Sequence, residues 1–346
     1  MATNQAAWIK EAYSHPFVVE PAELPRAGPH DLVIKNHALA INPVDWKVQT
    51  QSPPFVAKYP FILGSDVAGE VYEVGSEVEN FKVGDRVIAE GHAFLDGKST
   101  SGAFQNYTAV DRLIAVKLPP NLTYTEGVVL PLALNTAITG LYPEEILGLP
   151  LPSVNPIPVN KILLIWGGSS SVGAAAIQLA KASGLTVIAT ASAPNHDLVK
   201  SHLRADHVFD HNAPDVVTQI AQTVKDSGKE FAGVYDAIAL PTSLKLVTEV
   251  FEQLRGLGAR RLAVTLLPQG LPDDIQTGQM FALTVLTKHR SIAEHVWGRF
   301  LYEALEKGVI KPLPEPMVIG KGLESVQKAV DRLKEGVSAK KVVVEL

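Results

Sequence analysis

The chain has 346 residues, about twice the usual length of one domain, so we predict two domains. Hydrophobic residues make up 46% of it and charged residues 19%, which is the composition of an ordinary globular protein with a large core. A net charge of -5 offers no electrostatic attraction for a polyanion, and nucleic acid is therefore excluded as an expected partner.

The sequence contains no cysteine, which excludes disulfide bonds, thiolate nucleophiles and every metal site built on sulfur. The same absence fits a reducing compartment. The residues around Trp8 lack the basic and apolar regions of a leader, and no stretch approaches the roughly 18 apolar residues of a membrane span. We therefore expect a cytoplasmic protein without a membrane partner.

The first part of the chain is rich in short β-strand patterns. Runs such as Leu32–Lys35 and Val67–Val71 are separated by Gly, Pro and Asp turns, the pattern of a small barrel or sandwich. We predict that residues 1–130 form a β-dominated domain. The C-terminal segment 311–346 ends in a short apolar strand and is too short for a further domain, so we expect it to join the first one.

After Pro131 the pattern changes to apolar strands separated by segments of helical length. Alternation of this kind predicts a parallel sheet covered by helices on both faces, an α/β doubly wound arrangement over residues 131–310. Five prolines between Pro143 and Asn160 indicate a loop before the first strand of this sheet. The predicted strands contain Ile162–Ile165, Val187–Ala189, Val208–Phe209, Val234–Ile238 and Leu262–Val264.

A glycine- and serine-rich turn follows the strand Ile162–Ile165 and precedes an amphipathic helix that starts near Val172. Gly168 and Gly173 occupy the first and third positions of the dinucleotide motif G-x-G-x-x-G, and Ser170 replaces its middle glycine. The free N–H groups of a helix start attract a diphosphate, and serine hydroxyls can add donors. We therefore predict a Rossmann domain that binds a dinucleotide. The predicted contacts are Gly167, Gly168, Ser169, Ser170, Ser171, Val172 and Gly173.

The end of the next strand distinguishes the two nicotinamide cofactors. NAD binders place an acidic residue about 20 positions after the turn, where it accepts a hydrogen bond from the ribose 2′-hydroxyl. Here the segment Thr190–His196 contains no carboxylate, whereas Ser192 and Asn195 could donate to a 2′-phosphate, with His196 as a further donor. This composition favours NADPH over NADH.

Several motifs outside the turn carry a resemblance to a known family. With the cofactor turn, the segments Gly64–Val71, Gly84–Val87, Ser101–Tyr107 and Ser338–Val344 make the chain resemble the medium-chain dehydrogenase/reductase superfamily over essentially its whole length. The resemblance implies an N-terminal GroES-like β-barrel domain in front of the Rossmann domain.

Zinc-dependent members of that superfamily need ligands that this sequence lacks. They bind catalytic zinc through an early cysteine and a Gly-His-Glu motif, where this chain has Gly64-Ser65-Asp66. Their structural zinc needs four cysteines. His92 is interpreted as a loop residue rather than a ligand. We therefore predict a zinc-independent enzyme with no metal site.

The segment Ile41–Lys47 is similar to the quinone and enoyl reductases of the superfamily, and above all to the trans-acting enoyl reductases of fungal polyketide pathways. The resemblance implies that Lys47 stabilises an oxyanion or protonates the α-carbon, and that Thr136 contacts the nicotinamide or the substrate. It also implies cofactor contacts from Asn42 and from His211, where many relatives have tyrosine. A solvated lysine and a packed helix threonine are the alternative interpretations of Lys47 and Thr136.

These inferences combine into one functional expectation with two alternatives. We expect an NADPH-dependent reductase of an activated C=C bond in an enoyl thioester or enone, acting in secondary metabolism on a small-molecule or carrier-protein-bound substrate. The alternatives are an NADPH:quinone oxidoreductase and a non-enzymatic NADPH-binding protein. The chain is expected to be a monomer or a homodimer, and the apolar segment Arg261–Leu266 is the predicted edge strand for pairing.

Overall fold

The computed structural model describes residues 2–51, 56, 58–266, 268 and 270–346. Its strands, in chain order, are β1 (Asn4–Ile9), β2 (Val18–Ala22), β3 (Asp31–Ala40), β4 (Phe61–Ile62), β5 (Asp66–Val74), β6 (Arg86–Glu90), β7 (Tyr107–Asp111), β8 (Ala115–Lys117), β9 (Lys161–Trp166), β10 (Thr186–Ala191), β11 (His207–Asp210), β12 (Glu230–Asp236), β13 (Arg261–Val264), β14 (Gln276–Gln279), β15 (Pro316–Lys321) and β16 (Lys341–Glu345).

The α-helices are α1 (Pro43–Gln51), α2 (Ala93–Asp96), α3 (Tyr124–Gly127), α4 (Pro131–Leu141), α5 (Ser171–Ala182), α6 (Val216–Ser227), α7 (Pro241–Gln253), α8 (Arg290–His295), α9 (Leu301–Glu306) and α10 (Val326–Lys334). In the described part of the chain, no helix has both the length and the apolar character that a membrane crossing requires.

The chain divides into two compact units, and the first comprises Met1–Leu132 with Pro312–Leu346. Its larger sheet has the strand order β15-β16-β3-β5-β6-β8, with β7 also paired to β3, and its smaller sheet has the order β2-β1-β4. The C-terminal strand β16 lies antiparallel to β3, with Val343 opposite Ala40. Val342 and Val344 belong to the hydrophobic core of this unit, so the last strand of the chain completes the N-terminal sheet.

The second unit, Ala133–Lys311, contains a six-stranded parallel sheet of order β11-β10-β9-β12-β13-β14. Its central strand β9 is a continuous apolar run in which Ile162–Trp166 are buried, as expected for a strand covered by helices on both faces. The order is that of a doubly wound dinucleotide-binding sheet. The α/β fold class predicted from the sequence is therefore confirmed.

The strand at the edge of the parallel sheet differs from the one predicted from the sequence. The strand β13 within Arg261–Leu266 lies between β12 and β14, so its backbone groups are already paired on both sides. The terminal position belongs to β14, Gln276–Gln279, which was not predicted because its Gln-Thr-Gly-Gln sequence has no apolar residue. The prediction of Arg261–Leu266 as an edge is wrong.

Candidate functional site

The turn between β9 and α5 is hydrogen-bonded to the neighbouring strand β10. The Gly167 N–H donates to the Thr190 hydroxyl at 3.0 Å, and the Gly168 N–H donates to the Thr190 carbonyl at 2.8 Å. Gly167 has a φ of 81°, a left-handed conformation that glycine adopts without steric cost. The turn therefore has a defined shape in the free protein.

Gly173 allows the helix to start close to this turn. A Cβ at Gly173 would lie 2.2 Å from the Gly167 carbonyl oxygen, well inside van der Waals contact. The contact explains in physical terms why the third position of the motif is a glycine.

Ser170 caps the helix. Its hydroxyl accepts a hydrogen bond from the Gly173 N–H at 3.0 Å and donates to the Gly167 carbonyl at 2.8 Å. The hydroxyl thus has a structural role within the turn, and the predicted cofactor contact of Ser170 stays a prediction. The backbone N–H groups of Ser171 and Val172, at the first two helical positions, have no intrahelical acceptor and can face an anion.

Polar side chains from the turn and from the end of β10 lie together. The Asn195 amide donates to the Ser192 hydroxyl at 3.1 Å and to the Ser169 hydroxyl at 3.5 Å. These three residues were predicted as cofactor contacts from two separate segments, and the fold brings them into one cluster.

His211 follows the end of β11, where an unpredicted carboxylate also lies. Asp210 is opposite Ala191 in the parallel β10–β11 pair, so the ends of both strands reach the same edge of the sheet. Hydrogen bonds from Asn212, first from its backbone N–H, lower the pKa of Asp210, and His211 and His196 lower it further. A negative charge therefore lies beside the imidazole that was predicted to contact the cofactor. This carboxylate was not predicted, because its place beside the end of β10 depends on the pairing of β10 with β11.

Lys47 lies on α1 of the first unit. Its ammonium is 5.8 Å from the centroid of the Trp46 ring, a cation–π distance. The side chain is half-buried, and it has no carboxylate partner in the described ranges of the chain. Its charge is therefore not neutralised by an ion pair among these residues, and its predicted action on an oxyanion stays a prediction.

Asn42 belongs to a buried ionic cluster just before α1. Its side-chain amide donates to Asp66 Oδ2 at 2.8 Å, and its side-chain oxygen accepts from the Lys341 ammonium. Lys341 Nζ also lies 2.9 Å from Asp66 Oδ2. Both polar atoms of the Asn42 side chain thus have partners inside the unit. The structure therefore shows Asn42 holding its loop in place, and its predicted cofactor contact stays a prediction.

Asp45 completes this cluster and is fully buried. Its Oδ2 accepts from the Asn42 backbone N–H at 2.7 Å. Its Oδ1 is buried and has no hydrogen-bond partner among the residues that the structure describes. Burial raises the pKa of Asp45 to about 7, and the negative charge of Asp66 contributes to the rise.

Thr136 lies within α4 and is only 7% exposed. Its backbone carbonyl accepts hydrogen bonds from the Tyr235 hydroxyl at 3.0 Å and the Thr139 hydroxyl at 3.0 Å. Next to it, the Trp297 indole donates to the Asn135 side chain at 2.7 Å. Thr136 therefore lies in packed surroundings, and its contact with nicotinamide or substrate stays a prediction.

A metal site was not expected, and the described residues contain no group of three or more His, Cys, Asp or Glu side chains that could hold an ion. His92 precedes the short helix α2, and its Nε2 lies 3.4 Å from Oδ2 of Asp96 on that helix.

Models of two known protein families match this sequence. Residues 28–120 match the alcohol dehydrogenase GroES-like domain, and residues 171–306 match the family described as zinc-binding dehydrogenase. The dehydrogenase orsE of Emericella nidulans is 42% identical, covering 100% of both chains. The trans-enoyl reductase himH of Aspergillus japonicus is 42% identical, covering 99% of this chain and 97% of its own. The chain belongs to the medium-chain dehydrogenase/reductase superfamily. It is an oxidoreductase of that type, as the sequence motifs predicted.

Solved structures of this superfamily share the fold. An alcohol dehydrogenase superfamily protein from Novosphingobium aromaticivorans has a TM-score of 0.79 at 25% identity, covering 99% of this chain and 100% of its own. A mycobacterial protein complexed with NADPH has a TM-score of 0.71 at 22% identity, covering 99% of this chain and 100% of its own. The predicted combination of GroES-like and Rossmann domains is confirmed by these matches.

Proposed function

We propose that the protein is an NADPH-dependent, zinc-independent reductase of a C=C bond activated by the carbonyl group of an enoyl thioester or enone. The observation that carries the proposal is the preformed turn from Gly167 to Gly173, which presents the free N–H groups of a helix start beside the Ser192–Asn195 cluster. This geometry suits the diphosphate and the adenosine ribose of a nicotinamide dinucleotide.

The preference for NADPH is supported by the hydroxyl and amide donors at the end of β10. Ser169, Ser192 and Asn195 can donate to a 2′-phosphate, and His211 can add a positive charge when protonated. A solved relative of the same fold is complexed with NADPH. The carboxylate of Asp210 opposes a 2′-phosphate, so the cofactor preference depends on the balance between these groups.

The class of acceptor is supported by Lys47 and by the relatives. The relative himH is named a trans-enoyl reductase, and it aligns with almost the whole chain. Zinc-dependent alcohol oxidation requires a Lewis acid at the alcohol oxygen. This sequence has no cysteine, and the described residues contain no alternative group of ligands for zinc. Reduction of an activated alkene needs no such ion, because the substrate carbonyl already withdraws electrons from the β-carbon.

The protein's contribution to this reaction is binding and charge stabilisation. When bound, the reduced nicotinamide supplies the hydride that adds to the β-carbon. Negative charge then develops on the substrate carbonyl oxygen, where the unpaired ammonium of Lys47 would stabilise it. The α-carbon then takes up a proton, which restores the carbonyl group of the saturated product. Lys47 can also donate that proton.

The proposal is tested by following oxidation of NADPH and, separately, NADH with crotonyl-CoA, a longer α,β-unsaturated thioester and a simple quinone. We expect turnover of the thioesters with NADPH and a loss of kcat in Lys47→Ala. The exposed Lys82→Ala in the same unit is the matched control and should keep its activity. Unchanged thioester reduction in Lys47→Ala would contradict the role of this residue.

Two other results would select the alternatives. Turnover of the quinone alone would identify an NADPH:quinone oxidoreductase. Tight NADPH binding without turnover of any acceptor would favour the non-enzymatic interpretation. A higher kcat/KM for a carrier-protein thioester than for the same acyl group on CoA would show that a carrier protein delivers the substrate.

A further inference from the structure

The ionic cluster around Asn42 contains more negative than positive charge. Asp45, Asp66 and Lys341 are all buried, so full ionisation would place two carboxylates and one ammonium in the interior. A third buried carboxyl, Glu90, lies opposite Asp66 across the β5–β6 pair. A buried charge without a counter-charge is costly. One proton bound by Asp45 or Asp66 would leave a single negative charge on the pair, which the positive charge of Lys341 balances.

The contacts indicate which carboxyl carries that proton. Asp66 accepts from the Asn42 amide, from Lys341 and from the Leu132 N–H, which lies 2.7 Å from its Oδ1. Each of its oxygens therefore has a donor. Asp45 Oδ2 accepts from the Asn42 N–H, whereas its buried Oδ1 has no donor at hydrogen-bonding geometry in the described part of the chain. The Gly64 backbone N–H also acts on this carboxyl and lowers its pKa, but burial has the larger effect. The proton therefore belongs on Asp45 Oδ1, because there it displaces no existing hydrogen bond.

The other element packed against α1 does not change this assignment. Helix α10 meets α1 through Gln327, whose amide oxygen accepts from Gln49 at 2.9 Å. The carboxylate of Asp331 on that helix points to His15 and Gln327. The charged groups that act on Asp45 are thus Asp66 and Lys341.

We propose that Asp45 is a positioning residue that is held as the neutral acid. Its ionisation loosens the Asn42 loop, which is the segment Ile41–Asn42 that leads into α1 and Lys47. Since Lys47 is two residues further along α1, a shift in this loop displaces the ammonium assigned to the oxyanion. This inference rests on the proposed reductase activity only for its kinetic consequence. The position of the proton is a property of the protein alone.

Ionisation of Asp45 loosens the Asn42 loop for an electrostatic reason. An ionised Asp45 competes with Asp66 for Lys341, and Lys341 at the same time holds the Asn42 side chain. Burial raises the pKa of Asp45 to about 7, so this competition begins near neutral pH. Asp45→Asn has nearly the same shape as the protonated acid and cannot ionise, which makes it the informative variant.

Infrared spectroscopy tests the proton directly. The C=O stretching band of a protonated carboxyl should be present in the wild type at about pH 6 and should disappear by about pH 9. The difference spectrum between wild type and Asp45→Asn isolates this band. Asp273→Asn, which removes an exposed carboxyl, is the matched control and should leave the band unchanged. Absence of a protonated-carboxyl band in the difference spectrum at about pH 6 would overturn the proposal.

Hydrogen exchange measured by mass spectrometry tests the loosening. After correction for the intrinsic dependence of exchange on pH, peptides covering residues 41–47 should exchange faster in the wild type above about pH 7 and should not do so in Asp45→Asn. This comparison in the wild type remains available if the variant does not fold. Equal corrected exchange on both sides of pH 7 would contradict the positioning role.

The kinetic consequence separates the two proposals. With the best acceptor, kcat of the wild type should fall above about pH 7, while KM for NADPH stays constant and Asp45→Asn retains its rate. A wild type that shows the band and the exchange change but reduces no thioester or quinone would refute the reductase proposal alone. An active enzyme that shows neither the infrared band nor the change in hydrogen exchange would refute the role of Asp45 alone.

Discussion

Lys341 Nζ lies 2.9 Å from Asp66 Oδ2 in the interior of the first unit, where both side chains are almost completely buried. The last strand of the chain thus supplies the cation for a carboxylate on β5. Because neither group reaches water, removing one of them leaves the other without a counter-charge.

We predict that Lys341→Met lowers the free energy of unfolding by about 3–5 kcal/mol, the usual cost of breaking a buried pair from one side. The double variant Lys341→Met/Asp66→Asn should recover part of this loss, because Asp66 is then no longer a buried charge without its partner. Urea unfolding at neutral pH measures both effects. Lys340→Met is the control, since the neighbouring lysine pairs with Glu315 near the surface, where a salt bridge contributes less than about 1 kcal/mol.

Asp45 should make the stability depend on pH. Its folded pKa of about 7 lies above the ordinary value of 3.8, so the folded state binds the proton more tightly than the unfolded state. The contribution of Asp45 to stability is therefore largest at low pH and decreases from about pH 4 to about pH 7, by up to about 4 kcal/mol. Relative to the wild type, Asp45→Asn should gain stability across this interval and then level off. A constant difference between the two proteins from about pH 4 to about pH 8 would contradict the assignment.

Gly173→Ala should damage the cofactor turn. Its added Cβ would meet the Gly167 carbonyl at 2.2 Å, so the turn or the helix start must move. We expect a loss of about 1–3 kcal/mol in stability and at least about a tenfold weaker affinity for NADPH. Thermal unfolding and fluorescence titration measure the two effects. Gly298→Ala, where the added Cβ meets nothing within 4 Å, is the matched control and should leave both unchanged.

Asp210→Asn should increase the preference for NADPH over NADH. Removing the negative charge beside His211 leaves less repulsion toward a 2′-phosphate, and the expected change in the ratio of kcat/KM values is about 3- to 30-fold. Ser192→Ala should change the ratio in the opposite direction, because it removes a donor. Asp226→Asn, at an exposed carboxylate on α6, should have no effect. An unchanged ratio in Asp210→Asn would mean that this carboxylate does not face the adenosine ribose.

Much of the fold was predictable because its signals are local. Apolar runs such as Ile162–Ile165 identify central strands of a parallel sheet, since only a strand buried on both faces needs an uninterrupted apolar sequence. The turn from Gly167 to Gly173 was recognised because its glycines serve backbone geometry that other residues cannot adopt. The polar strand β14 has no comparable signal and was missed.

The sequence by itself determined the two-part architecture, the dinucleotide turn and the absence of sulfur ligands, because these depend on residue type and short-range spacing. Only the tertiary structure decided that Lys341 reaches Asn42, 299 positions away, and that Asp210 lies beside the end of β10. It likewise decided that Ser170 caps α5 and that Asp45 has a buried oxygen without a donor. The physical reason is that pairing, burial and charge balance depend on which strands are neighbours, and strand neighbours are set by packing over the whole unit.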